Sequence, residues 1–353
     1  MKKFIYIFII IISLISIIFV NNNYFLYKIE IMDVTSIKDI NFDYDYNDLG
    51  IKEKIYYQKI CGNILNGKNK GKKVCLKHQY AKSQVIDDKY HIHDKLFIND
   101  NSIEGLKRDS FFLYLIIISF VSMIFVAGRR GFFSFVSLII NILLFYFFLF
   151  CYSYGFNPII LCLLVSFLFT IISLFISVGF NKKAFASIIS VIVCLLLLFT
   201  LIEGLALITK FKGINFNILS YLTVPAEEIF IVSLIFGGLG AIMDVAITIS
   251  SSVFELIQLN KKITNNAIIK SCKEIGTDIL PTMINVLFFT YFASELPLFV
   301  LAIRNGFSIY NYISTYYSLE VMRFLCGSIG LCLSIVISIF VSIKLYRRCD
   351  FLE

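Results

Sequence analysis

Asp244 lies inside an apolar run, EIFIVSLIFGGLGAIMDVAITISSSVFEL. An acid at the centre of a membrane helix costs about 2.5 to 3.5 kcal/mol, so one that persists there needs a partner or water. Gly237, Ala241, Asp244, Thr248, Ser251 and Glu255 follow one another at steps of four, three, four, three and four, which is a single helical stripe. The upper part of the stripe is small and allows close helix approach, while the lower part is polar down to Glu255. A carboxyl held in oil above hydroxyls has the chemistry of a titrating site or a polar path. The competing reading is a packing seam with a hydrogen-bonded acid. On the next apolar run Thr282, Asn285 and Phe289 share a face, and because that run is antiparallel to the first, Asn285 is expected near the depth of Asp244. The expected proton or substrate path is therefore Asp244, Thr248, Ser251, Glu255, Thr282 and Asn285, with Thr248, Thr282 or Asn285 as hydrogen-bond partners of the acid. Glu203 and Glu295 fall towards span ends and read as interfacial carboxylates. Pro281 falls near the start of its span, where a missing donor is tolerated, and Pro297 near the far end, where it can bend the helix.

Other chemistry is sparse. There is no Ser/His/Asp arrangement, no helical HExxH and no paired CxxC, so neither an enzyme nor a cofactor is expected. GNILNGKN (62–69) has the spacing of a phosphate-binding loop as far as Gly67 and Lys68, but Asn69 stands where Ser or Thr would hold magnesium. His91 and His93, two apart on an expected strand, would face one side, with His78 as a third candidate ligand. No further coordinating group accompanies them, and a solvated pair is the expectation. Cys61 and Cys75 form a disulfide if their side of the membrane is oxidising, and are free thiols otherwise.

The elements that must position the stripe are membrane spans. The chain has 353 residues, 58% hydrophobic and 16% charged, with a mean hydropathy of +0.83. That composition excludes a cytosolic enzyme with one globular core. Eight apolar runs are long enough to span: residues 3–20, 111–127, 132–151, 158–180, 184–209, 228–250, 279–303 and 321–345. The first follows Lys2 and Lys3 and lacks a small-residue cleavage pattern, so it reads as an uncleaved anchor rather than a signal peptide. With the amino terminus inside, the inner segments carry Lys2, Lys3, Arg129, Arg130, Lys182, Lys183, Lys261, Lys262, Lys270, Lys273, Lys344, Arg347 and Arg348. The outer ones carry only Lys210, Lys212, Arg304 and Arg323. That bias predicts both termini in the cytoplasm, and it assigns the net charge of +8 to helix orientation rather than to nucleic-acid binding. Tyr310, Tyr312, Tyr316 and Tyr317 in the last outer loop read as an aromatic belt.

Four regions follow: an anchor (1–20), an extracytoplasmic β-rich domain (21–109), a seven-helix membrane domain (110–348) and a cytoplasmic tail (349–353). Within the polar region, 53–60, 72–80 and 90–98 are β-favouring, the first two joined by a turn at NGKNKG. The fold class is an all-α polytopic membrane protein of about eight transmembrane helices with this small β-rich domain after the first.

Nearly the whole chain resembles the YibE/F family of bacterial multi-pass membrane proteins. The resemblance rests on GRRGFFSFVSLIINI, GFNP, GGLGAIMDVAITISSSVFEL, EIGTDILPTMINVLFFTYFASELPLFVLAI and EVMRFLCGSIGLCLSI, with GKNKGKKV and HDKLF in the outer domain. His93 stands where the family has glycine, and Met243 precedes a single Asp244 where many members carry paired acids. The resemblance implies an integral membrane protein of unestablished activity, and the expected location is the bacterial plasma membrane. By its order of anchor, outer domain and acid-bearing helix with a glutamate eleven residues on, the chain is also similar to the proton-driven resistance, nodulation and division permeases. The leading expectation is a proton-coupled permease, in contact with the bilayer, an ion or substrate, and a second copy or related membrane protein. The rival is a scaffold or assembly factor acting through its outer domain.

Overall fold

The computed structural model describes residues 14–46, 52–82, 84, 87–99, 102–212, 214–216, 225–304 and 306–349. Most of the expected first span lies outside the described residues, of which 14–21 are helical (α1). The chain forms two compact units, Met1–Gly128 and Arg129–Glu353.

The first unit holds five strands, β1 (Glu30–Tyr46), β2 (Lys52–Ile64), β3 (Lys73–Ala81), β4 (Lys95–Asn99) and β5 (Ser102–Leu106), followed by α2 (Asp109–Ala127). They form one antiparallel sheet in the order β3-β2-β1-β4-β5. Alternating apolar residues on one face supply its core, with Met32, Val34, Ile60, Leu76, Leu96 and Ile98 all buried. β2 and β3 are the two strands anticipated on either side of NGKNKG, and Cys61 faces Cys75 across them in a disulfide.

The third anticipated strand is shorter, because residues 91–94 form a turn. Asp94 Oδ2 accepts the His91 N–H at 2.6 Å, and His93 takes a positive φ of 73°. Left-handed backbone is the conformation that glycine adopts without strain, which is the physical reason a glycine is expected at this position. His91 and His93 therefore do not share a strand face. His78 is separately engaged, its Nε2 2.8 Å from the Asp88 carbonyl and its ring against Tyr90. GNILNGKN is split between β2 and the β2–β3 turn rather than wrapping a phosphate, and a Cβ at Gly62 would meet the Asp33 carbonyl.

Two polar side chains fasten the sheet to its entry and exit. Asn66, buried in the β2–β3 turn, accepts the Ile31 N–H at 2.7 Å and turns its amide nitrogen to the carbonyls of Tyr24, Tyr27 and Ile29 at 2.9–3.1 Å. Lys107, its side chain fully buried, donates to the Val20 carbonyl at 3.0 Å and to both Asp109 carboxylate oxygens at 2.7 and 2.8 Å. Tyr27 and Asn23 also donate to Asp109.

The second unit contains α3 (Arg129–Ser153), α4 (Pro158–Val178), α5 (Lys182–Thr209), α6 (Ala226–Leu259), α7 (Asn265–Arg304), the short α8 (Ile309–Thr315) and α9 (Ser318–Cys349). Among the described residues seven helices, α2 to α7 and α9, are long and apolar enough to cross a membrane. Side-chain caps set two starts: Asn157 accepts from Ile159 and Ile160 ahead of α4, and Asn181 accepts from Ala184 ahead of α5. Pro158 at the first helical position of α4 loses no bond there.

Buried helix α6 packs against α5 and α9 through Leu234, Ile235, Ile242, Ile249 and Val253. The approach is close because a Cβ on Gly238 would stand 3.6 Å from the Gly327 Cα, and one on Gly330 would stand 2.9 Å from Ile242. Ser342 donates to Ser250 at 2.9 Å within this seam. Pro281 is not near a helix start, because α7 begins at Asn265, which leaves the Thr277 carbonyl without its helical donor.

Replacing Asn66 by Ala leaves an N–H and several carbonyls near β1 unanswered, which costs roughly 1–3 kcal/mol. Limited proteolysis of the full chain in detergent should then cut residues 21–109 several-fold faster than in the parent; an unchanged cutting rate would show that Asn66 does not hold the entry segment.

Candidate functional site

Helix α6 begins after Pro225, with Glu227 and Glu228 in its first turn, where acids suit the helix dipole. Its 34 residues divide by face. The seam towards α5 and α9 is almost wholly apolar, whereas the anticipated stripe points away from it. Asp244 and Glu255 are exposed, and Ala241, Thr248 and Ser251 are half-buried. The acid is thus not a buried seam residue within this chain.

Thr248 donates its hydroxyl to the Asp244 carbonyl at 2.8 Å, and Ser252 donates to the Thr248 carbonyl at 2.9 Å. These i−4 bonds are the usual way a helix satisfies hydroxyls in oil. The Thr248 proton is therefore given to the backbone and not to the carboxyl. Among the described residues the Asp244 carboxyl has no hydrogen-bond or ion-pair partner, and Thr282 and Asn285, both exposed on α7, do not bond to it.

The two helices are nevertheless in the anticipated register. The Tyr291 hydroxyl of α7 lies 2.1 Å from where a Cβ on Gly237 would stand, so those residues are level. Counting about 1.5 Å per residue in opposite directions brings Asn285 within about one residue of the depth of Asp244. Depth is shared, and direct bonding is not. At the lower end, Glu255 meets Lys183 of α5 at 3.0 Å, and Lys183 also lies over the Phe254 ring. The Glu255 side chain keeps 64% exposure, as expected for a pair at a membrane surface.

A second polar group, which the sequence reading did not single out, lies at the other end of α6. Arg323 of α9 donates to Glu320 and, through Nε, to Ser233 Oγ at 3.1 Å, and its guanidinium lies over the Phe230 ring. Glu320 is 6% exposed. Tyr291 lies within the field of both charges, and Glu295 is near enough to Glu320 to be felt as a like charge. The signal in the sequence is EVMR, an acid and a base three apart at a span start, of which Arg323 alone enters the outer charge count. The tyrosine belt also divides: Tyr310 is 80% exposed, but Tyr312 and Tyr317 are 4% exposed and pack on Phe299. Tyr317 also donates to the Phe292 carbonyl.

Compared with known families, residues 115–348 match the YibE/F-like protein family and residues 25–108 match the YibE/F family N-terminal domain. Neither a curated protein nor a solved structure matches the chain.

The two ion pairs should differ in weight. Glu320→Ala strips a largely buried Arg323 of its carboxylate and should cost roughly 3 kcal/mol, whereas Lys183→Ala breaks an exposed pair and should cost about 1 kcal/mol or less. Thermal exposure of the buried cysteines Cys162, Cys194, Cys272 and Cys326 to a thiol dye measures both in detergent; equal shifts would contradict the difference in burial.

Proposed function

The chain belongs to the YibE/F family, and we propose that it is a proton-coupled permease of the bacterial plasma membrane, not an enzyme. Its working site is the outward stripe of α6, Asp244, Thr248 and Ser251, with Thr282 and Asn285 of α7 alongside. One observation carries this reading: Asp244 stands in the middle of a membrane helix, with its carboxyl exposed rather than packed into the seam and without a hydrogen-bond partner among the described residues. Lipid alone is a costly surrounding for it, so the face is served by water, by the cargo, or by a second copy or related membrane protein.

The proposed mechanism uses the carboxyl as the coupling group. When protonated, Asp244 is neutral and tolerates an apolar environment; when ionised, it needs water or a cation. Alternating exposure of this face would then tie proton release to cargo movement. Thr248 and Ser252 keep their own hydroxyls satisfied on the backbone, which leaves the carboxyl free to change state. Glu255 with Lys183 forms the surface end of the path. The bias of basic residues supports cytoplasmic termini. The Cys61–Cys75 disulfide supports an oxidising location for the β domain.

The scaffold reading has one observation in its favour: Ile40, Phe42 and Tyr44 stand about half exposed on β1, with Lys54 and Lys52 over the two rings. Such a surface suits a protein partner. Deleting residues 25–105 separates the two readings, because a scaffold then loses its whole phenotype.

In proteoliposomes with an imposed pH gradient and an internal pH dye, the parent chain should dissipate the gradient faster than empty vesicles. Asp244→Asn should abolish that excess flux at unchanged abundance. Equal flux from parent and variant would remove Asp244 from the mechanism.

A further inference from the structure

Ser233 stands four residues before Gly237, and adding it extends the stripe of α6 upward by one step. From Ser233 to Glu255 the stripe rises by 22 residue steps, or about 33 Å of helix, close to the thickness of the hydrocarbon layer. Both ends of this column are charged: Arg323 and Glu320 join Ser233 at one, and Lys183 pairs with Glu255 at the other. Asp244 and Asn285 lie between. Within this column the Tyr291 hydroxyl closes against the Gly237 backbone, in space that any side chain there would fill.

We propose that the Gly237–Tyr291 contact is the constriction of the path, and that Ser233, Arg323 and Glu320, with Glu295 beside them, form its outer mouth. The proposal rests on the permease reading above and extends it to a class of cargo. The mouth has two carboxylates against one guanidinium, and Asp244 beyond the constriction adds a third acid. A passage with surplus negative charge concentrates cations, so the cargo is positively charged, the proton included. Glycine at 237 and tyrosine at 291 then have a joint purpose: the missing side chain admits the hydroxyl, and the ring blocks the column until α6 and α7 shift.

Thiol labelling tests this. Asp244→Cys is introduced in a chain carrying Cys151→Ser, Cys332→Ser and Cys349→Ser, because Cys332 is exposed, Cys151 is half-buried and Cys349 is a further thiol near the end of the sequence. The new thiol is treated with membrane-impermeant methanethiosulfonates, one cationic and one anionic, from each face in right-side-out and inside-out vesicles. The expected result is labelling from the Glu255 side only. Adding Tyr291→Ala should open labelling from the Arg323 side, several-fold faster with the cationic reagent, while Tyr291→Phe, which keeps the ring, should stay closed. If Tyr291→Ala does not accumulate in the membrane, Gly237→Ala replaces it, because its methyl displaces the hydroxyl.

Labelling from the Glu255 side alone, whatever stands at 291, overturns the constriction and leaves the permease reading intact. Access from the Arg323 side with Tyr291 in place also overturns the constriction. A faster anionic reagent overturns the cationic cargo. A thiol silent from both faces in every background overturns the path itself, and with it the permease.

Discussion

A carboxyl on the outward face of a membrane helix has no satisfactory surroundings in lipid alone, and Asp244 occupies that position in the middle of α6. Insertion costs of about 2.5 to 3.5 kcal/mol are affordable once in a helix this apolar, but only with something polar beside the acid during its charged state. The surrounding hydroxyls do not serve it, since Thr248 and Ser252 bond back to their own helix. Everything proposed for this chain derives from that unmet requirement. The chemistry belongs to α6, and the other helices determine which of its faces remains open.

Packing makes that choice through size. Gly238 of α6 meets Gly327 of α9, and Gly330 leaves room for Ile242, so the two backbones come close along one seam. Dispersion and shape complementarity, not the hydrophobic effect, hold helices together in lipid, and small residues permit both. Ser250 and Ser342 satisfy each other inside the seam. With α5 and α9 taking the apolar side, the middle of the stripe is left facing outward or towards α7, while its two ends reach Arg323 of α9 and Lys183 of α5. The first unit shows the same economy of polar contacts: Lys107, fully buried, joins the end of α1 to the first residue of α2, and Asn66 fastens the segment ahead of β1.

Much of this architecture was legible because membrane helices are specified by the length of an apolar run, which single sequences display directly. The runs at 111–127, 132–151, 158–180 and 184–209 each fall on a helix within a few residues. Where polar residues continue a helix, hydropathy stops too early: α7 starts at Asn265 rather than 279, since NNAIIKSCKEIGTD is amphipathic, and this turned Pro281 into an interior proline. β1 was unanticipated because INFDYDY alternates with acids and reads as loop. The helical stripe was readable from spacing alone, whereas the Ser233–Arg323–Glu320 group joins residues 90 apart and needs the fold to bring it together. Burial of Tyr312 and Tyr317 likewise depends on contacts with α7 that no local pattern encodes.

Infrared difference spectroscopy of the purified chain in lipid, comparing the parent with Asp244→Asn, examines the central carboxyl directly. The account predicts a protonated-carboxyl band that is absent from the variant, appears and disappears as pH is varied, and moves promptly when the solvent is changed to heavy water. A band at this residue that ignores both pH and solvent exchange would mean a sealed acid, and the stripe of α6 would then be structural only.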